Sequence, residues 1–173
     1  MIGYNTDLFT QTEQLSKILS LNKSLYEIIE KAENAKLKNY YVGAGCITQT
    51  VWNFQMGFEL SYGISDVDFV YYDNSDLSFE AENNIIERAT KILEPTSYKL
   101  DIKNQARVHL WYKERFGYDI EPYKSVEGAI NTRPTTATSI GVRLENGAIK
   151  IYAPFGLNDL FGMIVRANKA QIT

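Results

Sequence analysis

Two groups of residues in this 173-residue chain have the types and spacing for chemistry. Gly43, Ala44 and Gly45 stand between a short apolar run and a run of helical spacing, and Ser65, Asp66 and Asp68 open the apolar stretch Phe69 to Tyr72. Glycines at a strand-to-helix turn let the backbone approach an anion, and the free amides of the helix's first turn then point at it. Carboxylates at i and i+2 of a strand leave the sheet on the same face, so Asp66 and Asp68 form a pair that wants a cation. A nucleoside triphosphate with magnesium suits both halves, because magnesium is commonly held by one or two carboxylates together with substrate phosphates. Either group alone has an ordinary structural explanation, as a strand end or a cap. The conjunction is the signal.

These residues need a sheet to hold them, and the hydrophobic pattern supplies one. Residues 1–13 show no clear period. From Gln14 to Ile29 apolar residues recur at helical spacing, read as two helices broken near Ser20 to Asn22 and covering one side of a sheet. Lys36 to Tyr41 leads into a first strand ending at Val42. After the glycine turn a helix carries Ile47, Val51, Trp52 and Phe54 and stops at Gly57. Phe58 to Ile64 reads as a loop and Val67 to Tyr72 as a second strand. Ser78 caps a helix that Pro95 ends. Tyr98, Leu100 and Ile102 alternate with Lys99, Asp101 and Lys103, which predicts a third strand with Asp101 on its polar face. There Asp101 meets Asp66 and Asp68 if the second and third strands are neighbours. Asn104 caps a helix over Gln105 to Phe116, closed by Gly117.

Beyond Pro122 a short helix is expected over Ser125 to Ile130, then a loop over Asn131 to Thr136. Ser139 to Leu144 and Ala148 to Tyr152 flank Asn146-Gly147, a hairpin signal. A last short helix is expected from Asn158 to about Val165, and Asn168 to Thr173 contribute no motif. Strands alternating with helices imply an α/β (α+β) fold, a small mixed sheet flanked by helices. The chain reads as one domain over residues 1–173: a helical part over 14–35, a core over about 36–117, and a hairpin with a short helix over about 125–166.

Composition narrows the partners. A formal net charge of -3 and a pI near 5.3 give no general electrostatic reason to bind nucleic acid or an anionic membrane, so a long nucleic acid is not expected as acceptor. One cysteine excludes an internal disulfide, and a single histidine makes structural zinc a poor fit. No apolar run is long enough to span a membrane, and Met1 to Gln14 lacks the pattern of a secretory signal, so a cytoplasmic location is expected.

A helix-opening glycine turn, then Ser-Asp-x-Asp on a strand, then a third carboxylate on a later strand resembles the polymerase-beta-type nucleotidyltransferase superfamily. The wording at Gly43-Ala44-Gly45-Cys46, Thr50-Val51-Trp52-Asn53, Ile64-Ser65-Asp66-Val67-Asp68, Lys103 to Trp111 and Ala153-Pro154-Phe155-Gly156-Leu157 resembles, more closely, a bacterial family of nucleotidyltransferase-like proteins within it. The resemblance covers about residues 40–165. It implies a nucleotidyltransferase core with the C-terminal hairpin and short helix added. It also implies metal-dependent transfer of a nucleoside monophosphate from an NTP to an acceptor hydroxyl, with pyrophosphate leaving. Asp66, Asp68 and Asp101 are then the catalytic and metal-holding residues for two magnesium ions, manganese being the alternative. Gly43, Ala44, Gly45, Ser65, Lys103 and Arg107 are the nucleotide-binding set. Ala44 and Cys46 depart from the glycine and serine usual in the superfamily, which removes a side-chain hydroxyl and leaves the backbone amides.

Other residues carry two readings each. His109 is either a hydrogen-bonded helix residue or an acid/base group. Lys103 and Arg107 either neutralise phosphate or form a solvated basic helix end. Trp52 and Trp111 read first as core and second as stacking platforms. Arg133 is open between acceptor and triphosphate contact, and Cys46 reads as a packed thiol. The competing function is a catalytically inactive nucleotide-binding or protein-interaction module of the same fold. A dinucleotide-binding oxidoreductase fits less well, because Thr48 stands where the third glycine of that fingerprint belongs.

Overall fold

The structure, a computed structural model, describes residues 1–171. Its elements run α1 (Leu8–Leu21), α2 (Lys23–Ala32), β1 (Tyr41–Gly43), α3 (Gly45–Met56), β2 (Asp66–Tyr71), α4 (Phe79–Leu93) and β3 (Lys99–Asn104). A 3-10 turn at Gln105–Arg107 leads into α5 (Val108–Phe116), followed by α6 (Val126–Ile130), β4 (Gly141–Glu145), β5 (Ala148–Tyr152) and α7 (Asn158–Phe161). Among the described residues, no helix is long and apolar enough to cross a membrane.

Local chemistry sets most boundaries. Helix α1 begins inside the stretch that lacked a period, because Asp7 accepts from the Thr10 amide at 3.0 Å and the Thr10 hydroxyl at 2.7 Å. Asn22 makes the break: its Oδ1 accepts from the Leu25 amide at 3.4 Å to start α2. Its Nδ2 donates to Thr50 Oγ1 at 2.9 Å, tying that corner to α3. Ser78 caps α4, and Gly57 and Gly117 close α3 and α5 in the left-handed region. Helix α7 stops short of the expected Val165. Met163 sits at φ +55°, the Met163 amide donates to Leu160 O at 3.3 Å and the Ile164 amide to Asp159 O at 2.9 Å, which is the bond pair of a Schellman turn.

The five strands form one mixed sheet in the order β3-β2-β1-β4-β5. Strand β1 is antiparallel to both β2 and β4, and β2 is parallel to β3 with α4 as their crossover. The period of two divides the faces. Val67, Phe69 and Tyr71 of β2, with Val42 and Ile102, are buried in one cluster with Leu15, Ile18, Ile28, Ile47 and Leu93 from the helices. Each large apolar side chain buried there contributes about 1.5–3 kcal/mol. The opposite face has a much smaller core, Tyr41 and Val70 under Val126 and Ile130 of α6. On that thinly covered face stand Asp66, Asp68, Asp101 and Lys103.

Candidate active site

Strand pairing brings the two chemical groups of the sequence together. In the β1–β2 register Gly43 lies opposite Asp68, and in the β2–β3 register Asp68 lies opposite Asp101. Asp66, Asp68 and Asp101 each offer a carboxylate oxygen within 4.8 Å of the others. Asp66 is exposed, the other two are half-buried, and Ser65 Oγ donates to Asp66 Oδ1 at 2.7 Å. Burial raises the Asp68 carboxyl above its ordinary range; Arg133 opposes this and the charge of Asp101 adds to it.

Two cations of the chain stand against this negative charge. Lys103, two residues along β3 on the same face, pairs with Asp101. Arg133 Nη1 lies 3.4 Å from Asp68 Oδ2. The loop that carries Arg133 is fastened from the C-terminal side. Asn168 Nδ2 donates to Asn131 O at 2.7 Å and to Arg133 O at 2.8 Å, and the Asn168 amide donates to Pro134 O at 2.9 Å. Thr136 Oγ1 donates to Asp159 at 2.6 Å. Asn168 belongs to the segment that carried no sequence motif, whereas Ile172 and Thr173 of that segment lie outside the described residues.

The glycine turn divides its work. A Cβ on Gly43 would sit 2.6 Å from Ile140 O, so β1 and β4 approach as closely as they do only because no side chain intervenes. Ala44 takes φ +57°, a conformation that favours glycine, and its amide donates to Ile140 O at 3.1 Å. Gly45 opens α3 with nothing within 4 Å of a built Cβ. In front of it lies a recess of about 140 Å³, bounded by Gly45, Gln49, Gly63, Ser65, Asp66 and Asp68. Cys46 is not activated by its helix end: burial, with Asp68 adding, pushes its thiol up to about 12, and Sγ donates to Gly43 O at 3.3 Å.

Not every sequence candidate is brought to the carboxylates. Arg107 is buried, pairs with Glu82 and donates from Nε to Leu77 O at 2.8 Å, tying the turn before α5 to the start of α4. His109 is half-buried, with its Nδ1 enclosed and without a hydrogen-bond partner. Trp52 donates from Nε1 to Leu160 O at 2.9 Å and packs against the main core, whereas Trp111 borders a cavity. That cavity, of about 430 Å³, extends from Asp68, Asp101 and Lys103 to Trp111, Tyr118 and Arg133. The tyrosine walls of the segment after Gly117 have no periodic signature; their only sequence signal is the density of aromatic residues there.

The donor set is three carboxylates, all hard oxygen ligands, converging on one face with a raised Asp68 among them. Such a set fits magnesium or manganese and not a metal that prefers nitrogen or sulfur. A family model described as a nucleotidyltransferase matches residues 30–173. In fold, the chain is similar to an NMR structure described as a CCA-adding enzyme head domain, with a TM-score of 0.73 and 20% identity over 90% of this chain and 78% of that one. A search of curated proteins finds no match.

Proposed function

This chain belongs to the nucleotidyltransferase family, and from that premise we propose that it moves a nucleoside monophosphate from an NTP to an acceptor hydroxyl with release of pyrophosphate. The observation that carries the reading is the meeting of Asp66, Asp68 and Asp101 within 4.8 Å, next to the recess in front of Gly45. Asp66, Asp68 and Asp101 would hold the divalent cations. Bound there, such ions neutralise the triphosphate and stabilise the attacking and leaving oxygens of an in-line displacement.

The chain's own groups do the rest. The open backbone at Gly45 and the first turn of α3 receive the terminal phosphates, where amides and helix dipole favour negative charge. Ser65 fixes the exposed Asp66 by its 2.7 Å hydrogen bond. Asp101, the carboxylate on the neighbouring strand, accepts the proton of the acceptor hydroxyl. Arg133 and Lys103, which pair with Asp68 and Asp101 in the free protein, would turn to the phosphates of a bound donor. Gly43 and Ala44 act through backbone placement. Arg107 is assigned no phosphate contact in this proposal, because its guanidinium is engaged by Glu82 and Leu77.

The test is calorimetric titration with each of the four ribonucleoside triphosphates, with and without magnesium, on the original protein and on Asp66→Asn/Asp68→Asn. Magnesium-dependent binding that the double variant loses is expected. Absence of binding by every triphosphate at millimolar concentration would leave an inactive interaction module as the better account.

A further inference from the structure

The recess before Gly45 is too small for a whole nucleotide: about 140 Å³ accommodates phosphate groups and little more. The nucleoside of a donor anchored there lies outside the recess, and Asp68, which borders both spaces, joins the recess to a second one. The cavity bordered by Asp68 and Asp101 has about 430 Å³, within the span of small-ligand sites, roughly 300–1,000 Å³. A neighbouring cavity of about 590 Å³ touches none of the three carboxylates, so a group attached to the α-phosphate reaches the smaller one first.

We propose that this 430 Å³ cavity is the nucleoside site of the donor, with its aromatic wall as a stacking surface for the base. This rests on the triphosphate reading above and adds a location for the rest of the molecule. Trp111 and Tyr123 are half-buried, Tyr118 is 50% exposed, and all three line the cavity. The wall is pre-formed: Tyr112 stacks on Trp111 with centroids 6.2 Å apart and meets Tyr118 edge-on at 5.4 Å. The Tyr112 and Tyr118 hydroxyls are hydrogen-bonded at 3.2 Å, so Tyr118 is held by more than its own backbone. Arg115 and Arg133 line the same cavity and offer planar cations that stack on bases or meet phosphate. Burial of apolar core alone would not leave these rings open around a cavity floored by carboxylates.

The test compares two magnesium-bound probes of equal charge, methyl triphosphate and each of the four NTPs, by calorimetry. It is joined to tryptophan fluorescence in a Trp52→Phe background, where Trp111 is the remaining tryptophan. The site predicts that at least one NTP binds tighter than methyl triphosphate by roughly five- to a hundredfold, the range of one base–aromatic stack. That NTP changes Trp111 emission and methyl triphosphate does not. Tyr118→Ala removes most of the NTP's advantage while leaving methyl triphosphate affinity unchanged; since Tyr118 is half-exposed, this variant keeps its core intact. If methyl triphosphate binds as tightly as all four NTPs, or if Tyr118→Ala and Trp111 emission are indifferent to the base, the nucleoside lies elsewhere and the inference falls alone. If neither probe binds, the triphosphate reading fails and takes this one with it.

Discussion

Gly43 and Gly45 are two residues apart and should fail in opposite ways when each becomes alanine. A Cβ at Gly43 meets the Ile140 carbonyl oxygen at 2.6 Å, in the strand contact where Gly43 pairs with Gly141. The Ile140 carbonyl directly precedes β4 and is held by the Ala44 amide, so it cannot rotate away without parting β1 from the start of β4. Overpacking of this kind costs about 1–3 kcal/mol. Weakening the 3.1 Å bond from the Ala44 amide to that same oxygen adds about 0.5–1.5 kcal/mol. For a chain of this size the sum, about 1.5–4.5 kcal/mol, lowers the melting temperature by roughly 3–18 °C. Gly45→Ala has open space and a helical backbone, so its melting temperature holds or rises slightly. Its methyl group, however, would stand in the recess to which the proposed function assigns the phosphates. Losing a charge-assisted amide contact there, about 1.5–3 kcal/mol, weakens NTP binding roughly ten- to a hundredfold. Thermal melting and calorimetry on the two variants make the comparison. Unchanged melting of Gly43→Ala would refute the close-approach argument, and unchanged NTP affinity of Gly45→Ala would refute the phosphate cradle.

Two further outcomes follow from charge. Asp68 has a carboxyl pKa raised by burial, so the folded protein holds that proton more tightly than the unfolded chain does. In chelator, this group's unfavourable contribution is absent below its ordinary value of 3.8, grows as pH rises from there to the raised folded value, and is fully present above it. Asp68→Asn is therefore expected to melt higher than the original protein at neutral pH without metal, with the difference shrinking in acid; a lower melting temperature at neutral pH would contradict the assigned burial penalty. Arg107→Ala leaves Glu82, whose side chain is 13% exposed, without its cation and should cost about 3–5 kcal/mol, read by denaturant unfolding. The protein that remains folded keeps its NTP affinity, and a stable Arg107→Ala variant that loses binding would return Arg107 to the site.

What was legible in the sequence was local. Ser78 and Asn104 announce their caps, Gly57 and Gly117 their helix ends, and Asn146-Gly147 its hairpin, because each signal acts through the backbone of its immediate neighbours. The alternation around Asp101 is likewise local, and it carried the third carboxylate to the polar face. Partnerships across the fold were not legible. Arg107 and Arg133 look alike in sequence, and only tertiary packing gives one to Glu82 and the other to Asp68. Trp111 has the helical spacing of a core residue, but the segment that would cover it stands off and leaves a cavity. Ala44 read as a departure from a glycine pattern; the backbone there keeps a positive φ of +57° all the same. Asn168 carried no motif because its value lies in three backbone partners more than thirty residues away.

That clasp gives the site a timetable. All three carboxylates and the glycine turn are synthesised before residue 102, and a nascent chain of that length already holds the mutual repulsion of the acidic face. Arg133 emerges later, and its loop is fastened only when Asp159 and Asn168 have followed. Since chains grow from the N-terminus and long-range contacts close late, the helix-covered face can consolidate while the acidic face stays unfinished. A polypeptide released before Asp159 would carry all three carboxylates and still lack the fastening of their countercharge, so the acidic face is completed by residues made well after the ones that give it its chemistry.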